Sequence, residues 1–317
     1  MSRQRIMVTG GLGFVGSRLV RKLVQQDAGD VIVLDDQSLG VPENLGSAAE
    51  RVTIAAIDIC DKEAVTRAIG ELAPQVVIHL AALHFIPACD ADPKRCIDVN
   101  VGGTQSVLDG CLLAPVEAVV LASTAAVYSP DLHAHDDQAA VGPIDIYGLS
   151  KLWSEQLGEL FHRKSEVPVG VARLFNVFGP GETNPHLIPA VIRQAQNGEE
   201  LHLGNLSTKR DYIFVDDVAD GLIALAAAVP EHGTLSCNLG REQAVDGFEL
   251  VATVGELLDR ELRVLTDPAR MRASDRPVLL SDCTRAHALL GWRAQSSLRE
   301  GLAAAIAQPT AAGVDVD

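Results

Sequence analysis

The sequence predicts an α/β fold, a doubly wound parallel sheet followed by a smaller C-terminal α/β domain. Three observations carry that prediction. Short apolar runs alternate with helical patterns from Ile6 to Leu174, as expected of strands that pair in parallel through helical crossovers. A glycine-rich turn, Thr9 to Gly16, joins the first run to the first helix, and an acidic pair, Asp35-Asp36, closes the second run. After Phe178 the alternation fades into Gly179-Pro180-Gly181, an irregular loop by composition.

In chain order, Ile6-Met7-Val8 reads as a short buried strand, with a helix pattern through Val24. Val31 to Leu34 and Val52 to Ile57 are the next strands. Asp58 to Asp61 then opens a helix through Ile69, with Asp61 as its N-cap. Val76 to Leu80 is a fourth strand, Asn100 to Leu113 a helix, and Ala118 to Ala122 a fifth buried strand. A helix from Tyr147 to about Lys164 carries Leu149, Leu152, Trp153, Leu157, Leu160 and Phe161 on one broad apolar side, which reads mostly as core, with a dimer interface as the alternative. Val169 to Leu174 is a sixth strand. Beyond the break, His186 to Asn197 reads as a helix and Leu201 to Leu203 as a strand. Lys209 to Tyr212 leads into another strand and the helix Asp216 to Val229. Phe248 to Arg260 and Asp282 to Leu290 are the last helices, with a loop at Arg270 to Arg276. The expected division is residues 1–175, with some later segments returning to that domain, then 176–308, and a flexible tail at 309–317.

Composition narrows the partners. A chain of 317 residues, 47% of them hydrophobic, can bury a sizeable core. Its formal charge of -16 argues against nucleic acid, whose phosphates need basic patches. A phosphorylated small molecule remains compatible, given local arginines and backbone N–H groups. The scattered cysteines Cys60, Cys89, Cys96, Cys111, Cys237 and Cys283 form no C-x-x-C pair, so reduced thiols and no metal are expected. The start of the chain lacks a signal-peptide layout, and no apolar run approaches the roughly 18 residues of a membrane helix. The expectation is a soluble, cytoplasmic protein.

Strand, glycine turn, helix is the setting of a dinucleotide site, because glycines admit a pyrophosphate close to a helix N-terminus. Two spacings fit, Gly11-x-Gly13-x-x-Gly16 and Gly10-x-x-Gly13-x-x-Gly16. Asp35 stands about 20 residues on, where a carboxylate accepts from a ribose diol and repels a 2′-phosphate; it favours NAD over NADP. Ala81-Ala82-Leu83-His84 and Ser123-Thr124 arrive at the C-terminal edge of the sheet, where small residues leave room for a ligand. Tyr147 and Lys151 lie four apart on one helical face. A phenol needs its pKa lowered by about three units to act as a base near neutrality, and an adjacent ammonium pushes it that way.

Together these residues resemble the extended short-chain dehydrogenase/reductase family, in its nucleotide-sugar epimerase and dehydratase branch, over nearly the whole chain. Thr9-Gly10-x-x-Gly13-Phe14-Val15-Gly16 is similar to the family's glycine signature, which favours the second spacing. Asp35-Asp36-Gln37-Ser38 resembles its adenosine-ribose loop, Asp58-Ile59 its adenine contact, and Leu80-Ala81-Ala82 the segment beside the cofactor. Ser123-Thr124 and Tyr147-x-x-x-Lys151 match the catalytic elements. Arg173 to Pro180, Arg210-Asp211-Tyr212 and Leu290-Gly291-Trp292 match the nucleotide-sugar branch. The resemblance implies a Rossmann-type domain holding NAD, with His84, Asn100 and Phe175 also at the cofactor. It implies a nucleoside-diphosphate sugar held by Thr124, Asn176, His186, Leu187, Leu203, Arg210 and Arg272. It further implies a homodimer formed through the helices around Gly103–Leu113 and Ser150–Phe161.

The branches share a first step, in which Tyr147 takes a sugar hydroxyl proton, usually at C4, while hydride leaves that carbon. They differ in the groups beside Thr124. Dehydratases carry an Asp-Glu or Ser-Glu pair there and decarboxylases a glutamate; here Ala125 and Ala126 occupy those positions. The expectation is C4 epimerisation through a transient 4-keto sugar, with a ketoreductase as the alternative and an NAD(H)-sensing protein a lesser one.

Overall fold

The computed structural model describes residues 4–270 and 276–308. Its chain order is β1 (Arg5–Thr9), α1 (Phe14–Gln25), β2 (Asp30–Asp35), β3 (Val52–Ala56), α2 (Lys62–Leu72) and β4 (Val76–His79). Then come α3 (Ile86–Ala91), α4 (Pro93–Ile97), a π-helical turn (Asp98–Gly103), α5 (Thr104–Cys111), β5 (Ala118–Thr124) and α6 (Ile146–Ser165). The second half runs β6 (Val169–Leu174), β7 (Asn176–Phe178), α7 (Leu187–Asn197), β8 (Glu200–Leu203), β9 (Lys209–Phe214) and α8 (Val215–His232). It closes with β10 (Thr234–Leu239), β11 (Ala244–Asp246), α9 (Gly247–Leu258), β12 (Arg263–Thr266), β13 (Val278–Leu279), α10 (Thr284–Leu290) and α11 (Leu298–Ala307).

The main sheet has the order β10-β6-β5-β4-β1-β2-β3, with every pair parallel. It is a Rossmann-type sheet. Strand direction of travel reverses between β1 and β4, so the crevice at their C-terminal ends is the place where such sheets take a ligand. Alternate residues feed two cores. Val8, Ile78 and Val120 pack with Leu19, Leu222 and Leu225 on one face. Met7, Val77 and Val119 pack with Ile69, Leu108 and Phe161 on the other. A separate core, including Ile188, Leu201, Tyr212, Leu250 and Leu302, holds the C-terminal lobe together.

The structure differs from the sequence expectation in three respects. The helical path before β5 begins at Ile86 rather than at Asn100, broken at Asp92, which caps α4, and passing through the π turn. The strand β10 joins the main sheet beside β6, and α11 adds a helix beyond Leu290. The third difference concerns α6. Its buried residues are Gly148, Ser150, Lys151, Ser154, Glu155, Gly158 and Phe161, while Trp153 and Leu160 are exposed. The small polar side faces inward because the helix lies hard against the sheet: a Cβ on Gly158 would stand 2.7 Å from Leu121 Cδ1. Most of the apolar side therefore looks outward or lies half-buried.

Candidate active site

The glycine turn is shaped by contacts that admit no side chain. Gly10 has φ +67°, and a Cβ there would lie 2.8 Å from the Ala81 nitrogen; on Gly16 it would lie 2.0 Å from the Gly10 oxygen. Gly13 has no such internal need, since a Cβ would meet nothing nearer than the Gly10 oxygen at 3.4 Å. Its bareness serves the crevice it borders. Gly13 caps α1 without a side-chain bond, so the first-turn amides are available to an anion. At the end of β2, Asp35 Oδ2 accepts from the Leu12 amide at 3.0 Å and Oδ1 from the Gln37 amide at 2.8 Å. Burial pushes the Asp35 carboxyl above its usual value, and those two amides pull it back. Each oxygen keeps a lone pair for a diol. These features fit a dinucleotide.

The Tyr147–Lys151 face reaches the same crevice. Asp145 caps α6 by accepting from the Gly148 amide at 2.7 Å. A Cβ on Gly148 would stand 2.6 Å from the Ala126 oxygen, so glycine lets the first turn close on the end of β5. That closure sets the Tyr147 hydroxyl in the same cleft as Thr124, whose side chain favours the phenolate. Spacing alone predicts a lowered Tyr147 pKa. Burial is instead the leading influence and pushes the phenol up, against the pull of Thr124. Burial also brings the Lys151 ammonium down to about 8, resisted by the Glu155 charge. Ser123 Oγ donates to Glu155 Oε1, so its proton is directed to that carboxylate.

Behind the wall, buried side chains fix these groups. Asn100 accepts from the Leu83 amide at 2.8 Å and donates to the Leu83 carbonyl and Ser150 Oγ, both at 2.9 Å. It staples the loop after β4 to α6. His79 bridges Thr9 Oγ1 at 2.6 Å and Thr104 Oγ1 at 3.0 Å, held neutral by burial with its pKa down to about 3.

One cleft of about 810 Å³ gathers the expected residues: every one of them among the described residues lines it except Gln37 and Asn100. Gln37 stands at the rim with φ 60°. Arg272 lies outside the described residues. Asn176 Oδ1 is buried with no hydrogen-bond partner among the described residues, and Leu203, Arg210, His186 and Leu187 line the same cleft. Two groups there escaped sequence reasoning. Arg276 lines the cleft and donates to the Tyr128 and Ala126 carbonyls at 2.6 and 2.9 Å. Glu182, buried, accepts from His186 Nδ1 at 2.5 Å, while Asn184 Nδ2 meets His84 Nε2 at 2.7 Å across the cleft. The i, i+4 spacing of Glu182 and His186 was the available signal. So Tyr147 is not the only titratable group in the cleft.

A nucleotide-binding α/β sheet with this loop is the class the fold defines. Residues 6–240 match the NAD dependent epimerase/dehydratase family. A UDP-glucose 4-epimerase of Mycolicibacterium smegmatis is 32% identical over 94% of this chain and 96% of its own. UDP-glucuronic acid decarboxylase 6 of Arabidopsis thaliana is 30% identical over 95% and 87%. Among solved structures, the UDP-glucose 4-epimerase of Thermotoga maritima with UDP-glucose superposes with TM-score 0.88 at 27% identity, covering 96% of this chain and 98% of that one. MoeE5 in complex with UDP-glucuronic acid and NAD gives 0.85 at 29%, with the same coverage. The chain belongs to the NAD-dependent epimerase/dehydratase family, an extended short-chain dehydrogenase/reductase family, and its cofactor is NAD.

Proposed function

We propose that this protein epimerises a nucleoside-diphosphate sugar, of the UDP type bound by its neighbours, at C4 through a transient 4-keto sugar. The observation that carries the reading is the gathering of Thr124, Tyr147 and Lys151 in one cleft, with Thr124 favouring the Tyr147 phenolate and buried Ala125 and Ala126 next to it. NAD, held at the glycine turn and Asp35, would supply reversible hydride acceptance from C4 and a positive ring that favours a nearby phenolate. Tyr147 accepts the C4 hydroxyl proton and later gives it back to the keto oxygen. Thr124 holds that oxygen in reach, and the Lys151 ammonium favours the phenolate. Alanines beside Thr124 move no proton, which disfavours dehydration and decarboxylation in spite of the decarboxylase relatives.

The diphosphate is assigned to Asn176, Arg210 and the N-terminus of α7 beside His186. These groups supply donors and positive potential locally in a chain of net charge -16. A homodimer is part of the same reading. Leu112 and Leu113 at the end of α5, and Trp153 and Leu160 on α6, are exposed on adjoining helices, a surface suited to a second copy. A 4-ketoreductase would use the same residues, but Asp35 stands against the 2′-phosphate of NADPH. Incubation with UDP-glucose, UDP-galactose and their N-acetyl and uronic forms, with and without NADPH, separates the two. Interconversion at C4 without added cofactor is expected. Stoichiometric NADPH consumption by a keto sugar would identify a reductase instead.

A further inference from the structure

Tyr147, Lys151 and Glu155 recur every four residues along one face of α6, and Lys151 and Glu155 are buried. Glu155 is 8% exposed and Lys151 3%. A carboxylate is buried only where partners compensate its lost hydration. Here they come from two adjacent strands. Ser123 of β5 and Arg173 of β6 are register neighbours. Ser123 Oγ and Arg173 Nε both donate to Glu155 Oε1, the latter at 3.0 Å, and Arg173 Nη2 donates to Oε2 at 2.8 Å. Arg173 is anchored in turn, with Nη1 donating to the Tyr128 hydroxyl at 3.1 Å and the Asp137 carbonyl at 3.3 Å.

We propose that Glu155 is a positioning residue, the shared counter-charge of Lys151 and Arg173 that keeps the Lys151 ammonium protonated where Tyr147 works. The inference rests on the proposed Tyr147–Lys151 chemistry. Its logic is a charge sum. Lys151 and Arg173 bring two positive charges and Glu155 one negative, so the set keeps one positive charge that a Tyr147 phenolate can neutralise. Without the carboxylate, Lys151 loses the opposing charge one turn along its own helix face, and burial shifts it toward the neutral amine.

Other groups around the lysine do not take over this task. His79 of β4 is held neutral by burial, and His84 in the following loop, exposed at its surface, has its pKa lowered to about 4 by desolvation in the cleft and by His186. Cys96 of α4 acts in the same sense as Glu155 but contributes less. Tyr147 and the capping Asp145 lie one turn or more toward the start of α6. Asp137 sits behind Arg173, beyond the ion pair.

Competitive acetylation of the purified protein across pH, read by mass spectrometry on the Lys151 peptide, yields the lysine's titration midpoint without turnover. Glu155→Gln keeps shape and removes charge; Glu155→Asp keeps charge and shortens the side chain. In Glu155→Gln the midpoint should fall by about one to two pH units, and turnover near pH 8 by about five- to fifty-fold, the loss shrinking toward acid pH. Glu155→Asp should hold its midpoint within about half a unit and keep most turnover. A packing role predicts the reverse ranking, with the glutamine variant near wild type and its lysine midpoint unmoved, and that result overturns the proposal. If the glutamine variant does not fold, the aspartate variant decides: near-native turnover supports the charge role, and lost turnover with an unmoved midpoint overturns it. A wild type inert toward nucleotide sugars would count against the proposed reaction, while the lysine midpoint still tests Glu155.

Discussion

Replacing Gly148 by alanine tests how the first turn of α6 positions the candidate acid/base. The new Cβ would stand 2.6 Å from the Ala126 oxygen and 3.0 Å from Pro143 Cβ. The first of these is backbone, so relief requires the turn to lift by about half an ångström or more to restore an ordinary contact. Overpacking of this kind costs about 1–3 kcal/mol, offset by about 0.5–1 kcal/mol for alanine over glycine in a helix. Net destabilisation of about 1 kcal/mol lowers the melting temperature by only a few degrees. Catalysis should suffer more, because Tyr147 precedes the lifted residue and its hydroxyl moves away from Thr124. Misplacement near 1 Å costs up to about 10²-fold in rate, so a loss of about ten-fold or more is expected while NAD is retained. Circular dichroism melts, released dinucleotide and initial rates measure the three quantities. A Gly148→Ala protein with wild-type kcat would refute the role given to this close approach.

Other consequences follow from the same geometry. Tyr147→Phe should copurify with NAD yet lose about 10²- to 10⁴-fold in turnover; full activity would remove Tyr147 as the base. His79 has its folded pKa lowered to about 3 from 6.5, so between those values the unfolded chain binds the extra proton. Its contribution to stability is complete above about pH 6.5 and is lost as pH falls, by about 2 kcal/mol at pH 5. Asp137, raised to about 6 by burial, works in the opposite sense over the same range. His79→Gln should therefore be compared with wild type, and its melting temperature should drop less between pH 7 and 5; an equal drop would contradict the assignment. Trp153→Glu with Leu160→Glu should convert a dimer into a monomer by sedimentation. A wild type that sediments as a monomer would remove that surface as an interface.

Much of this arrangement was legible in the residues because its signals are local. Apolar runs mark β1, β4 and β5, the glycines mark the turn before α1, and Asp61 caps α2 as expected. The misses are of another kind. Helix α11 carries a capping box, Ser297 with Glu300, but its Ala-rich body gives little apolar contrast to read. The stretch before Asn100 is cut by Pro87 and Pro93, which sit in the first turns of α3 and α4 and look like breakers from outside. The facing of α6 was misjudged because periodicity shows which residues share a side, not which side is buried. Here the need to bring Lys151 and Glu155 to the sheet outweighs hydrophobic preference. The commitment of Ser123 to Glu155, and the pairing of His84 with Asn184 across the cleft, arise from tertiary contacts that no spacing encodes.

The most direct measurement follows the hydrogen on C4. The purified protein would be given its UDP-sugar with deuterium at C4 and no added cofactor, and the product read by mass spectrometry and NMR. If hydride leaves and returns within one bound complex, the epimerised sugar keeps its deuterium at C4 and added unlabelled NADH does not dilute it. Loss of the label to solvent or to added NADH, or its removal without inversion, would contradict the proposed reaction.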